Sequence, residues 1–172
     1  MDDKHSLIMK DSYKEKRAKE VTSLGSQNTN YKFTYDKSLL EVFENIHQDK
    51  DYWVTLNIDE FSALCPKTNQ PDFATLIINY IPNVDMVESK SLKLYLFSFI
   101  NSGEFHEDVV NKIGKDLIEL MKPKYLEVVG LFYPRGNISI HPYFNYHNGK
   151  KKYKKIYKHR FINRNINPQR VG

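Results

Sequence analysis

The spacing of apolar and polar positions changes period twice along this chain, and the changes mark its elements. In YWVTLNI (52–58), Val54, Leu56 and Ile58 fall at every second position beside Trp53, the spacing of a half-buried strand. FATLIINYI (73–81) is apolar and β-branched and runs into Pro82 and Asn83, which predicts a second strand with a defined end. The period then lengthens. In MVESKSLKLYLFSFINS (86–102), Leu92, Leu96 and Phe99 follow helical spacing, with Lys90, Lys93 and Phe97 on another face. FHEDVVNKIGKDLIELM (105–121) is a clearer helix, with Val109, Ile113, Leu117 and Leu120 in one stripe. Ser102-Gly103 separates the two helices and Pro123 closes the second. YLEVVGLFY (125–133), the turn PRGN and ISIHPYFNY (138–146) return to a strand, a turn and a strand.

The resulting order, β-β-α-α-β-β, predicts an α+β fold: an antiparallel sheet with both helices on one face. At 172 residues the chain fits one domain with extensions. We expect a polar extension over 1–30, a catalytic domain over 31–149 and a basic C-terminal tail over 150–172. The first twenty residues carry acids early and no apolar core of a signal peptide, and no apolar run reaches the length of a membrane span. A single cysteine excludes an intramolecular disulfide and a zinc site built on several thiolates, and it fits a cytoplasmic location.

Net charge is +5, which invites a nucleic-acid reading. Its location argues otherwise. KKKYKKIYKHR (150–160) holds seven of the 26 Lys and Arg, leaving 19 bases against 21 acids elsewhere. The basicity belongs to the tail, and such a run is most often simply solvated.

No Gly-rich dinucleotide fingerprint and no P-loop follows a strand. Three short clusters carry candidate chemistry. LCPKTNQPDFAT (64–75) places Cys65 in a turn-forming loop ahead of Asp72. A lone cysteine is ordinarily a small buried hydrophobe, but a loop exposes the thiol, and Asp72 either donates a proton beside it or shapes the turn. VESKSLK (87–93) starts a helix with Glu88, a natural dipole partner. It also puts Lys90 and Lys93 three apart, where they either meet phosphates or face solvent. His106-Glu107 opens the second helix, where acids are common. No three ligands at metal-binding spacing stand out.

Each cluster alone is weak, but together CPKTNQPDFA, VESKSLKLY and FHED resemble, in order and spacing, the NADPH-dependent 7-cyano-7-deazaguanine reductases of QueF type. The resemblance runs from about Tyr52 to Tyr146 and includes YIP, LIELMKPKYLEV and PRGNISI. It implies the tunnelling fold in its short, single-module form, with subunits forming pentameric rings that stack as a homodecamer and share active sites between subunits. The implied reaction reduces the nitrile of a 7-deazapurine to an aminomethyl group with two NADPH, a step toward queuosine in transfer RNA. By position, Cys65 would add to the nitrile carbon as a thioimide and Asp72 would donate a proton, with His106 near the reacting centre. Val87, Glu88, Ser89, His106 and Glu107 would bind the purine, and Lys90 and Lys93 the cofactor. One departure is visible: the family's helix motif continues to an arginine where Ile100 stands here.

The nearest alternative is a related amidinotransferase that uses the same cysteine adduct but delivers ammonia. Ile100 leans toward it; the retained ESKSLKLY leans away. A cyclohydrolase of the same fold would need metal-binding thiol and imidazole ligands. An RNA-binding module would rest on the basic tail alone and leave Cys65, Asp72, Glu88 and Glu107 unused.

Overall fold

The computed structural model describes residues 31–164, so the expected extension over 1–30 and the end of the expected tail, 165–172, lie outside the described residues. In chain order the elements are β1 (Val42–Glu44), β2 (Val54–Leu64), β3 (Pro71–Ile81), β4 (Asp85–Val87), α1 (Ser89–Phe97), α2 (His106–Met121), β5 (Tyr125–Phe132), β6 (Tyr143–His147) and α3 (Lys151–Ile162). Short 3-10 turns occupy Lys37–Leu39 and Ser98–Asn101. The main sheet is antiparallel in the order β2-β3-β5-β6, and β1 pairs with β4 in a separate two-stranded ribbon. The α+β architecture and its β-β-α-α-β-β core are therefore as the periodicity predicts.

The period of two sorts each strand between the faces. On β3, Ala74, Leu76, Ile78 and Tyr80 are buried; on β5, Leu126, Val128 and Phe132 are. They meet Leu92, Tyr95 and Leu96 of α1 and Val109, Val110, Ile113, Leu117 and Met121 of α2 in one core. Two glycines set how closely the layers approach. A Cβ on Gly130 would lie 2.7 Å from Val110, and one on Gly114 would lie 2.4 Å from the Phe144 ring, so α2 sits directly on the sheet only where these side chains are absent. Lys122, in the left-handed region at φ 45°, ends α2 just before Pro123.

Four boundaries differ from expectation. Strand β2 runs on to Leu64 because a bulge between Ile58 and Phe61 absorbs Asp59 and Glu60 and restores Phe61 and Ala63 to the core face. The first helix starts later than Met86, because Asp85–Val87 pairs with Val42–Glu44 and Glu88 caps the helix. Strand β6 begins at Tyr143 because Pro142 has no N–H for the ladder, although Phe132 N–H still reaches the Ile140 carbonyl.

The fourth is a correction to the expected solvated tail. Residues Lys151–Ile162 form a helix, α3, docked against the body. Tyr153 packs on Ile81 and Tyr125, on the side of the sheet away from α1 and α2. Arg160 forms an ion pair with Glu127, a fully buried carboxylate that also accepts from Tyr125, Tyr143 and Asn79. Lys152 and Tyr153 both bond Asp51. A run of lysines hid the two aromatic positions and the arginine that anchor it.

Candidate active site

Cys65 stands one residue beyond β2, at the start of a tight loop closed by Cys65 N–H to Gln70 O at 2.9 Å and Asn69 N–H to Cys65 O at 2.9 Å. Asn69 takes a left-handed φ of 54°, which its short polar side chain tolerates. The loop is fastened to the α1–α2 link. Leu64 N–H donates to Ser102 O at 3.0 Å and Glu104 N–H to Leu64 O at 3.2 Å. That clamp brings the first turn of α2, and with it His106, beside the hairpin.

The thiol is half-buried. Its pKa is lowered to about 7, chiefly by the Thr68 hydroxyl, then by the backbone N–H groups of Lys67 and Thr68, with the Arg135 guanidinium adding to them. More of it is therefore thiolate at neutral pH than the few per cent of an unperturbed cysteine.

Asp72 lies at the other end of the loop, opposite Ala63 in the ladder, and is only 4% exposed. His106 Nε2 sits 3.1 Å from its Oδ1 and Arg135 Nε 2.7 Å from the same oxygen. The imidazole stacks on Phe132, with ring centroids 4.0 Å apart and planes within 10°. This fixes the ring, and its second nitrogen, Nδ1, is buried without a hydrogen-bond partner in the protein. A buried nitrogen without a protein partner, on a ring held against a carboxylate, is a position that a ligand atom can satisfy.

Of the residues that the sequence singled out, Cys65, Asp72 and His106 are thus brought together. Glu107 is exposed on the same first turn as His106. Val87, Glu88 and Ser89 are not part of this cluster. They sit at the N-terminal end of α1, and the thirteen residues from Ser89 to Asn101 separate them from the Cys65 loop by roughly 20 Å at 1.5 Å per helical residue. Glu88 is buried, and its carboxylate accepts from the N–H groups of Lys90 at 2.9 Å and Ser91 at 2.7 Å, so it serves as the N-cap of α1. A groove of about 510 Å³ between β2 and α1 is lined by Ser89, Lys93, Phe97, Ile100, Asn57 and Glu60, among others. Ile100 and Lys93 thus share one face, as their spacing of seven predicts. Among the described residues no group of three or more His, Cys, Asp or Glu converges as a metal site.

A family model described as QueF-like protein matches residues 71–151. The chain is 58% identical over 153 residues to the NADPH-dependent 7-cyano-7-deazaguanine reductase of Bacillus cytotoxicus, covering 89% of this chain and 93% of that protein. It is 54% identical over 153 residues to the enzyme of the same name from Streptococcus mutans, covering 89% and 94% of the two chains. The Staphylococcus aureus enzyme matches at 57% over 152 residues. The chain belongs to the NADPH-dependent 7-cyano-7-deazaguanine reductase family.

The family's fold has a distant solved likeness. The crystal structure of an archaeosine synthase QueF-Like in the apo form superposes with TM-score 0.52 at 17% identity, covering 57% of this chain and 95% of that one. At that identity the likeness speaks for the fold alone. Within this reductase-family chain, sequence reasoning missed two residues of the cluster. Thr68 stood only among the residues of the turn-forming loop, and Arg135 only within the PRGN turn. The signal for Arg135 was present: Pro, Gly and Asn each serve the turn, and the arginine does not.

Proposed function

We propose that this chain reduces the nitrile of 7-cyano-7-deazaguanine to the aminomethyl group, a step toward queuosine in transfer RNA, through a covalent thioimide on Cys65. The observation that carries the site assignment is a thiol with pKa about 7 in the loop that ends at Asp72, with His106 3.1 Å from that carboxylate.

The thiolate of Cys65 forms a bond to the nitrile carbon as one C≡N π pair moves to nitrogen. That nitrogen takes a proton from Asp72, with the His106 imidazole 3.1 Å from that carboxylate to pass protons on. NADPH, when bound, supplies the hydride for each of the two reductions. Between them, expulsion of the Cys65 thiolate leaves an imine at the substrate carbon, and the thiol is regenerated for another turn. Each reduction also consumes one proton, which the same pair relays from solvent. Lys90 and Lys93 are the residues that would hold the cofactor phosphates. The groove that Lys93 and Ser89 line is largely apolar, with Lys93 as its cation and Glu60 as its acid, and Lys93 is the lining group that would meet a phosphate.

Recognition of the purine edge falls to Glu107, beside His106, and to Glu88 with Val87 and Ser89. The Glu88 carboxylate caps α1, accepting from Lys90 N–H, Ser91 N–H and the Ser89 hydroxyl, and a carboxylate is the acceptor type that suits paired purine N–H donors. Since Glu88 lies roughly 20 Å along the helix from Cys65 in one chain, the reading requires a second copy to bring its Val87–Ser89 segment to the Cys65 loop. This supports sites shared between subunits, and the assembly we propose for them is a homodecamer of two stacked pentameric rings. The ring's protomers would join through the outer edges of β2 and β6, which end the sheet. A free thiol at work also favours the reducing cytoplasm.

The test mixes purified protein with substrate and NADPH and follows the nicotinamide absorbance. Two NADPH consumed per substrate is expected. Intact-protein mass spectrometry without NADPH should show a substrate-mass adduct that Cys65→Ala abolishes, and an adduct surviving that change overturns the assignment.

A further inference from the structure

We infer that Arg135 is the positioning residue of this site: reaching from the β5–β6 turn, its guanidinium fixes the carboxyl of Asp72 and the thiol-bearing loop in one mutual orientation. The inference rests on the reaction proposed above and adds to it a residue that neither touches the nitrile nor carries its proton.

The contacts are specific. Arg135 Nε reaches Asp72 Oδ1 at 2.7 Å, while its terminal nitrogen donates to Gln70 O at 2.8 Å and Pro71 O at 3.1 Å. One planar fork therefore holds three consecutive residues, the last two of the loop's return and the acid itself. Gln70 O also accepts from Cys65 N–H, so the arginine and the cysteine backbone meet on one carbonyl. Arg135 thus grips the loop at the point that determines where Cys65 points. Side-chain charge in the loop is otherwise limited to Lys67, which is exposed.

The anchor is as stiff as the grip. Arg135 and Ile138 exchange both backbone hydrogen bonds at 3.0 Å, and the two residues between them, Gly136 and Asn137, have φ of 54° and 67°. This is the tight two-residue hairpin that matches strand twist, so the arginine projects from a fixed base. Tyr133 N–H to Phe73 O at 2.9 Å joins the turn to β3 just beside Asp72. A lysine in this place would keep the charge but not the fork, because an ammonium cannot hold a carboxylate and two carbonyls in one plane. The same guanidinium contributes to the lowered pKa of Cys65.

A residue that only cross-linked the turn to β3 would affect melting and nothing else. The test therefore reads thiol ionisation and turnover on folded protein. Wild type, Arg135→Lys and Arg135→Gln are compared by iodoacetamide alkylation of Cys65 across pH 5–9, by kcat and KM, and by circular dichroism to count folded sites. For Arg135→Gln we expect the alkylation midpoint to rise, with alkylation roughly two- to fivefold slower at pH 7, and kcat per folded site to fall at least about tenfold with substrate KM changed much less. Arg135→Lys should keep more of the alkylation profile than Arg135→Gln yet remain well below wild type in kcat. Wild-type alkylation profiles and wild-type kcat per folded site in both variants would overturn the inference. So would an activity loss accounted for entirely by unfolded protein. If wild type fails to consume NADPH, the proposed reaction falls, and the alkylation profiles still decide the role of Arg135.

Discussion

Replacing Asp72 by Asn keeps the outline of the side chain and removes the acid. Read in the sequence alone, the residue sits in an exposed turn, and the swap promises lost turnover at unchanged stability. Burial alters the second half. Asp72 is 4% exposed between His106 and Arg135, so the neutral amide removes the negative charge that the guanidinium faces. We expect turnover to fall by about 10²–10⁴, the usual worth of a positioned proton donor, together with a loss of about 1–3 kcal/mol in stability. NADPH consumption and a thermal melt followed side by side check both, and wild-type turnover would remove Asp72 from the mechanism. Thiol reactivity belongs to this scale too. A thiol with pKa about 7 owes its ionisation first to the Thr68 hydroxyl, a contact made inside the loop, and no pattern of apolar residues could have revealed it.

At the scale of elements, what the sequence discloses follows from periodicity, and what it hides follows from interruptions. The stripe on α2 and the apolar run of β3 were legible because each buries one continuous face. The β2 bulge was not, since Asp59-Glu60 breaks the alternation just where the strand continues to carry Phe61 and Ala63 into the core. Helix α1 was legible as a helix, yet its cap was read as mere dipole chemistry, whereas Glu88 bonds two backbone N–H groups directly. Cys65, Asp72 and His106 were identified through a family resemblance. Their meeting needs the Leu64–Gly103 clamp, a long-range contact without a local signature. The groove between β2 and α1 gives a prediction at the same scale. Ile100 is only part-buried and lines that groove with Lys93, so an arginine there has solvent beside it rather than a closed core. Ile100→Arg should lower the KM for NADPH several-fold with substrate KM nearly unchanged and the oligomer intact by size exclusion. An unaltered NADPH dependence with the assembly intact would show that the groove does not receive the cofactor.

For the whole molecule, helix α3 turns an apparent tail into part of the body. Lys152, Lys124 and Tyr153 outweigh partial burial and hold the pKa of Asp51 down to about 2, and Arg160 with two tyrosine hydroxyls holds that of Glu127 below its usual range against its burial. Both carboxylates are more acidic when folded, so their contribution is complete above the ordinary carboxylate range and is lost as pH falls. For Asp51 that window runs from about 4 down to about 2. Removing the cation has a matching effect at neutral pH. Arg160→Ala leaves Glu127 buried with its neutral partners only, and should cost on the order of 2 kcal/mol. Trp53, whose ring lies 5.3 Å from Tyr125 under this helix, offers the readout. Its fluorescence should shift in the variant at pH 7, and in the wild type between pH about 4 and 2. An unmoved spectrum in both would mean that α3 is held by its apolar contacts alone.

The clamp at Leu64 and the strap at Arg135 carry a consequence for how the protein matures. The hairpin that bears Cys65 and Asp72 is local and can zip early, but His106 arrives from forty residues downstream and Arg135 from beyond β5. Contacts of that sequence separation close late, after the entropy of the intervening chain has been lost. A chain that has zipped only this hairpin can therefore carry a thiol already sharpened by Thr68 and the loop N–H groups while Asp72 still lacks His106 and Arg135. Thiol reactivity then marks the local loop early in folding, and turnover marks the long-range contacts that close last.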